Sequence, residues 1–138
     1  MNTKMCPLCG TDHMVHESRP FEHKYKGHAF SIMQPAYYCD SCGDGVINPE
    51  DRKAVLLDIQ ENKARIDGIL TPSEVKHIRE KVLRFNRKKA SEIFGGGVNA
   101  FSRYERGEVG VTKLLSLTLA YLKNHPESID EFVGTKIA

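Results

Sequence analysis

Three observations predict an α+β chain built from two modules. Two Cys-x-x-Cys pairs, Cys6–Cys9 and Cys39–Cys42, frame an N-terminal stretch with little helical periodicity. Beyond Asn48 the chain changes to capped segments with apolar residues at helical spacing. Within that part, Gly95-Gly96-Gly97 separates two short helical segments in a basic region. These features divide the chain into a small β module over 1–48, a connecting helix and hinge over 49–70, and a five-helix module over 71–138.

Each element has a local signal. Phe21–Phe30 and Ile32–Tyr38 read as short strands, with Lys26-Gly27 as a turn. Asn48-Pro49-Glu50-Asp51 starts a helix carrying Val55, Leu56, Ile59 and Ile66, which breaks at Asp67-Gly68. Thr71-Pro72-Ser73-Glu74 is a capping box, and Val75, Ile78 and Val82 continue the helix to about Arg84. Asn86 caps a second helix bearing Ala90, Ile93 and Phe94. A third runs from about Val98 to Arg106 and stops at Gly107. Leu114 to Leu122 form an apolar helix ending before His125-Pro126, and Ile129, Phe132 and Val133 belong to a short terminal one.

The composition, with 40% hydrophobic and 28% charged residues over 138 positions, is that of an ordinary globular chain. No apolar run approaches the ~18–20 residues of a membrane span, and the N-terminus lacks a leader's apolar core. A cytoplasmic location, no membrane contact and reduced thiols are therefore expected. The net charge of +2 hides an asymmetry. Between Glu74 and Arg106 nine Lys/Arg stand against four acids, a local excess of +5 that leaves −3 for the remainder. Such a run is often only a solvated face, but it also suits a polyanionic partner.

The cysteine spacing carries the first functional reading. In each Cys-x-x-Cys knuckle a tight turn aims both sulfurs at one point, and Gly10 and Gly43 follow directly. Four thiolates close a tetrahedral zinc site and leave no position for water, so one structural, non-catalytic zinc per chain is expected on Cys6, Cys9, Cys39 and Cys42. Two disulfides, a rubredoxin-type iron and a redox pair use the same residues and fit less well with a reducing compartment and two matched knuckles. His13, His16, His23 and His28 are irregularly spaced and read as strand or loop histidines. A module this small needs such a staple.

The third helix carries the second reading. Val98, Phe101 and Tyr104 form an apolar stripe expected to pack inward, and Asn99, Ser102, Arg103 and Arg106 form a polar stripe facing outward. Asn and Arg make bidentate contacts with adenine and guanine edges, so Asn99 and Arg103 are expected to read bases in the major groove of double-stranded DNA. Ser102 and Arg106 lie beside them, and Arg87, Lys88 and Lys89 open the preceding helix where phosphate would be gripped. The pattern is that of a helix-turn-helix.

The stretch Ala90-Ser91-Glu92-Ile93-Phe94-Gly95-Gly96-Gly97-Val98-Asn99-Ala100-Phe101-Ser102-Arg103-Tyr104-Glu105-Arg106-Gly107 resembles the helix-turn-helix segment of the MqsA (YgiT-type zinc-finger) antitoxin family. The two knuckles, with Tyr38 directly before Cys39, are similar to the same family's zinc domain. The resemblance implies zinc on the four cysteines and base contacts by Asn99 and Arg103. It further implies a homodimer through the C-terminal module, a palindromic operator and repression of the chain's own operon. It also implies that the N-terminal module binds an MqsR-like ribonuclease toxin and holds it inactive. Two departures stand out. Asn86-Arg87 replaces the family's usual Thr/Ser-Gln pair, and the Gly107–Lys113 connection is short and lacks proline.

The reading is a non-enzymatic antitoxin and transcriptional autorepressor. The alternative is a stand-alone helix-turn-helix regulator whose zinc domain serves another partner. A zinc or redox enzyme needs an open metal position or a nucleophile–base pair, and four bound thiolates offer neither.

Overall fold

The computed structural model describes residues 3–134 and is α+β. The chain divides into two compact units between Leu56 and Leu57.

The first unit is a four-stranded antiparallel sheet in sequential order, β1 (Thr3–Lys4), β2 (Met14–Tyr25), β3 (His28–Cys39) and β4 (Gly45–Val46). Most of it is one long hairpin, with Met14 opposite Cys39 and Tyr25 opposite His28. Lys26 and Gly27 both take positive φ, 49° and 81°, as a two-residue hairpin turn demands. Lys26-Gly27 is thus the turn the sequence suggests, Phe21–Phe30 spans it rather than forming one strand, and β2 and β3 are each 12 residues long. Alternation sets one face of β3, burying Ile32, Gln34, Ala36 and Tyr38. Against β3 packs α1 (Pro49–Ala54). Its Asp51 carboxylate takes a hydrogen bond from the Asn48 N–H at 3.4 Å and lies 2.8 Å from His16 Nε2, while its carbonyl accepts from Gln34 Nε2 at 3.2 Å.

The helix read as a single connector over residues 49–67 is two helices. Val55, at φ −110° and ψ 0°, ends α1, and α2 (Leu56–Asp67) follows at once. The apolar residues chosen to define one helix are divided by the break: Val55 is 97% shielded at the end of α1, Leu56, Ile59 and Ile66 are half-buried in α2, and the buried positions of α2 are Glu61 and Ala64.

The second unit holds α2, α3 (Pro72–His77), α4 (Arg87–Phe94), α5 (Ala100–Arg106), α6 (Lys113–Asn124) and α7 (Ile129–Gly134). The Thr71 capping box forms: the Glu74 N–H donates to Thr71 Oγ1 at 3.2 Å and the Thr71 N–H to Glu74 Oε1 at 3.3 Å. α3 runs straight into a π-helical segment, Ile78–Leu83, closed by Arg84 in the left-handed region. From α2, the buried Glu61 accepts the Ser73 N–H at 2.8 Å, placing a carboxylate at the start of α3. The core is formed chiefly by Val75, Ile78, Ala90, Phe101, Leu119 and Leu122. From the start of α3 onward the described residues form five α-helices, as the sequence predicts, with a 3-10 turn at Pro126–Ser128 before α7. Among the described residues no helix is long and apolar enough to cross a membrane.

Candidate metal centre and nucleic-acid interface

The two knuckles are built alike. The Gly10 N–H donates to the Cys6 carbonyl and the Gly43 N–H to the Cys39 carbonyl, both at 2.9 Å. The Cys6 N–H donates to Thr11 and the Cys39 N–H to Asp44, both at 2.8 Å. Gly10 and Gly43 sit at φ 75° and 80°, where an L side chain is strained. Pairing of Met14 with Cys39 then brings the second knuckle beside the first.

All four sulfurs lie within 4.8 Å of one another. Cys6 and Cys42 are 3.7 Å apart, and Cys9 and Cys39 3.5 Å. A tetrahedron with metal–sulfur bonds of about 2.3 Å has edges of about 3.8 Å, so the donor set fits a four-thiolate site. None of the four is in a disulfide. Cys6 and Cys39 are buried, while Cys9 and Cys42 form the exposed side.

The thiols are electrostatically unequal. The Cys42 backbone N–H, assisted by Thr11, brings Cys39 down to about 6 against the opposing cost of desolvation. The Thr11 hydroxyl, 3.0 Å from Cys9, and the Thr11 backbone lower Cys9 as well. At Cys42 a backbone hydrogen bond from Asp44 pulls downward, yet desolvation and the sulfurs of Cys39, Cys6 and Cys9 push it up to about 12. Four crowded sulfurs resist complete ionisation, and a bound cation removes that resistance. Thr11 was not singled out by the sequence; a hydroxyl two residues past a knuckle was its only signal. None of the four N-terminal histidines joins the cluster among the described residues. His16 binds Asp51, and His23 stacks on Phe30 at 5.5 Å.

In the second unit, α4, the glycine turn and α5 form a helix-turn-helix. Asn86 Oδ1 caps α4 by accepting the Lys89 N–H at 2.8 Å. Gly95, Gly96 and Gly97 all take positive φ, at 82°, 96° and 97°. Gly96 has a steric reason besides: a Cβ there would meet Ala100 Cβ at 3.0 Å and Tyr104 Oη at 3.1 Å. Buried Ser91 receives the Phe101 N–H at 3.5 Å, tying α4 to the first turn of α5. Phe101 packs on Phe94 and Tyr104 at ring distances of 6.0 and 5.4 Å.

The third helix begins later than the sequence suggests. Asn99 is its N-cap, at φ −104° and ψ 14°, and Ala100 is the first helical residue. Val98 therefore does not continue the apolar stripe; it is 78% exposed, and Ala100 takes the buried place beside Phe101. Asn99, Arg103 and Arg106 are exposed and Ser102 is half-buried. Lys88 and Lys89 are exposed on the first turn of α4, with Lys89 Nζ 4.7 Å from the Phe85 ring centre.

The basic count needs one correction. Arg79 is buried, not turned to a polyanion: Nε and Nη2 grip Glu105 at 2.7 and 2.8 Å, and Nη1 donates to the Phe85 carbonyl at 2.8 Å. Hydrogen bonding to Glu105 raises the Arg79 pKa further. Arg87, half exposed, also reaches Glu105 at 3.3 Å, so part of its guanidinium is already engaged. Arg106 pairs with Glu108 at 3.0 Å. The sequence signal for this cluster was Glu105 itself. It lies four residues after Phe101 on the packed face, where a carboxylate requires a partner.

Comparison with known proteins covers both units of the chain. The family described as "Antitoxin component of bacterial toxin-antitoxin system, MqsA" matches residues 4–133. A relative from Escherichia coli (strain K12), "Antitoxin MqsA", is 32% identical over 129 residues, covering 91% of this chain and 97% of that one. The solved N-terminal domain of the E. coli protein MqsA aligns with a TM-score of 0.41 and 20% identity, over 47% of this chain and 98% of that one. With the family match running through both the cysteine cluster and the helix-turn-helix, the chain belongs to the MqsA family of antitoxins.

Proposed function

We propose that this antitoxin works through two surfaces on one chain, and that catalysis has no part in either. The N-terminal unit carries one structural zinc on Cys6, Cys9, Cys39 and Cys42 and binds an MqsR-like, mRNA-cleaving toxin. The ion supplies a rigid cross-link between the two ends of the hairpin, and the hairpin is what it holds in shape. The C-terminal unit binds a palindromic operator in double-stranded DNA as a homodimer and represses its own operon in the cytoplasm.

The observation that carries the DNA reading is the exposed edge of α5. Asn99 and Arg103 stand four residues apart at the start of a helix fixed to α4 by Ser91 and Phe101, with Lys88 and Lys89 exposed on the first turn of α4. This is the layout in which a recognition helix meets base edges while its neighbour holds phosphate. The dimer reading is supported by α6, where Leu114, Leu117 and Tyr121 recur along one face at 76%, 57% and 51% exposure.

Co-expression with the gene adjacent to this one tests the whole reading. A complex that blocks RNA cleavage, together with repression of a reporter driven by the chain's own promoter, is expected. Repression without any neighbouring toxin would leave the stand-alone regulator; neither activity would remove the proposal.

A further inference from the structure

The side chain that sequence periodicity places in the core is, among the described residues, the most exposed large apolar group. Val98 stands between the glycine turn and the N-cap Asn99, two positions before the first helical residue of α5. A single exposed valine is ordinary on a protein surface, so its neighbours decide its meaning. A Cβ built on Gly97 would lie 3.9 Å from Arg103 Nη2, which puts the guanidinium head beside the residue preceding Val98. On its other side Val98 borders a shallow cleft of about 240 Å³ shared with Lys88, Ser91, Glu92 and Gly97. An exposed isopropyl group thus follows the residue beside Arg103, precedes Asn99 and shares a cleft with Lys88.

We infer that Val98 is a specificity-determining residue, packing its methyl groups against the C5-methyl of a thymine in each operator half-site. The inference rests on the reading that α5 enters the major groove. There the thymine methyl is the one apolar group a base pair displays, and apolar side chains are what recognise it. Lys88, on the same cleft, is the phosphate contact, which leaves the exposed Val98 beside Asn99 to meet a base edge. The glycine turn, with all three glycines at positive φ, sets the direction in which the chain enters Val98. Asn99 and Arg103 supply hydrogen bonds to neighbouring bases, and Val98 adds discrimination between thymine and cytosine that neither can give.

The test uses the duplex that the full-length wild-type protein enriches from a randomised library, with each thymine replaced singly by deoxyuridine, which lacks only the methyl. One thymine per half-site should show an approximately three- to fivefold loss of wild-type affinity on replacement, the size of one buried methyl. Val98→Ala should lose a similar factor on the thymine duplex and be indifferent to the replacement. Its helical circular dichroism and melting should match wild type, because the side chain is 78% exposed. Wild-type affinity for the thymine duplex in Val98→Ala would overturn the inference, as would an equal uracil penalty in both proteins. Failure of the wild-type protein to enrich any duplex would instead overturn the DNA reading, and this inference with it.

Discussion

Asn99 and Arg103 can form paired, directional hydrogen bonds, whereas Lys88 offers a compact charge with no fixed donor plane. The three therefore fail differently when removed. Arg103→Ala is expected to cost roughly 1–3 kcal/mol per half-site and to relax the preference for one guanine; Asn99→Ala should do the same at an adenine. Lys88→Ala should weaken operator and scrambled duplex about equally and make the salt dependence shallower by about one unit. Titrations of each variant on both duplexes at several salt concentrations check this. If Arg103→Ala lowered both affinities by one factor, its role would be purely electrostatic. The position of these groups was legible in the sequence because side-chain chemistry and helical spacing agree at 99 and 103. The exposure of Val98 was not, because periodicity extrapolates a helix backward past its cap and only the backbone angles of Asn99 reveal where the helix starts. Nor was the burial of Arg79, since a charge count assigns each arginine to solvent until its partner is known.

At the scale of elements, that partner matters most. Glu105 is 2% exposed at its side chain and Arg79 7%, and their double hydrogen bond joins the end of the α3 segment to α5. Removing one member leaves the other charged without its main counter-charge. Arg79→Ala should destabilise the helical unit by about 3–5 kcal/mol, nearer the lower figure because Arg87 still approaches Glu105. Arg79→Met combined with Glu105→Leu should cost less than either single change, since no buried charge is stranded. The Phe85 carbonyl and the half-exposed Glu80 then lose a donor and the half-exposed Arg87 an acceptor, but none of these is a fully buried charge. Urea unfolding of the three variants decides the matter, and strictly additive losses would contradict the coupling. The other element boundaries follow the same logic of legibility. Caps at Thr71 and Asn86 were readable because a cap is a local motif. The break at Val55 was not, because no glycine or proline marks it and α1 ends by packing on β3, a contact 17 residues distant in the case of Gln34 and Asp51.

For the molecule as a whole, the contrast lies in what each unit can use to stay folded. The helical unit buries a continuous apolar cluster that includes Phe101, Ile78, Leu119 and Leu122. Around the knuckles the buried cluster is Cys6, Met14 and Cys39, so two of its three members are the proposed ligands themselves. Apolar burial there amounts to little more than one methionine, on the order of 2 kcal/mol, against the entropy of ordering two loops. Metal binding is then folding free energy for the knuckle end of the first unit, where the β3 face of Ile32, Ala36 and Tyr38 does not reach, and nearly irrelevant to the second. Elemental analysis of reduced, freshly purified protein is expected to give one zinc per chain. Chelation should strip amide-exchange protection from β2 and β3 near Met14 and Cys39, while α4 and α5 keep theirs and operator affinity changes little. Toxin binding should be lost in parallel with the hairpin's protection. Acidification should release the metal before it disturbs the helices, because thiolates must be protonated to let it go. The outcome that would sink this division of labour is a chelated protein whose hairpin stays protected, or one whose recognition helix exchanges as fast as the hairpin.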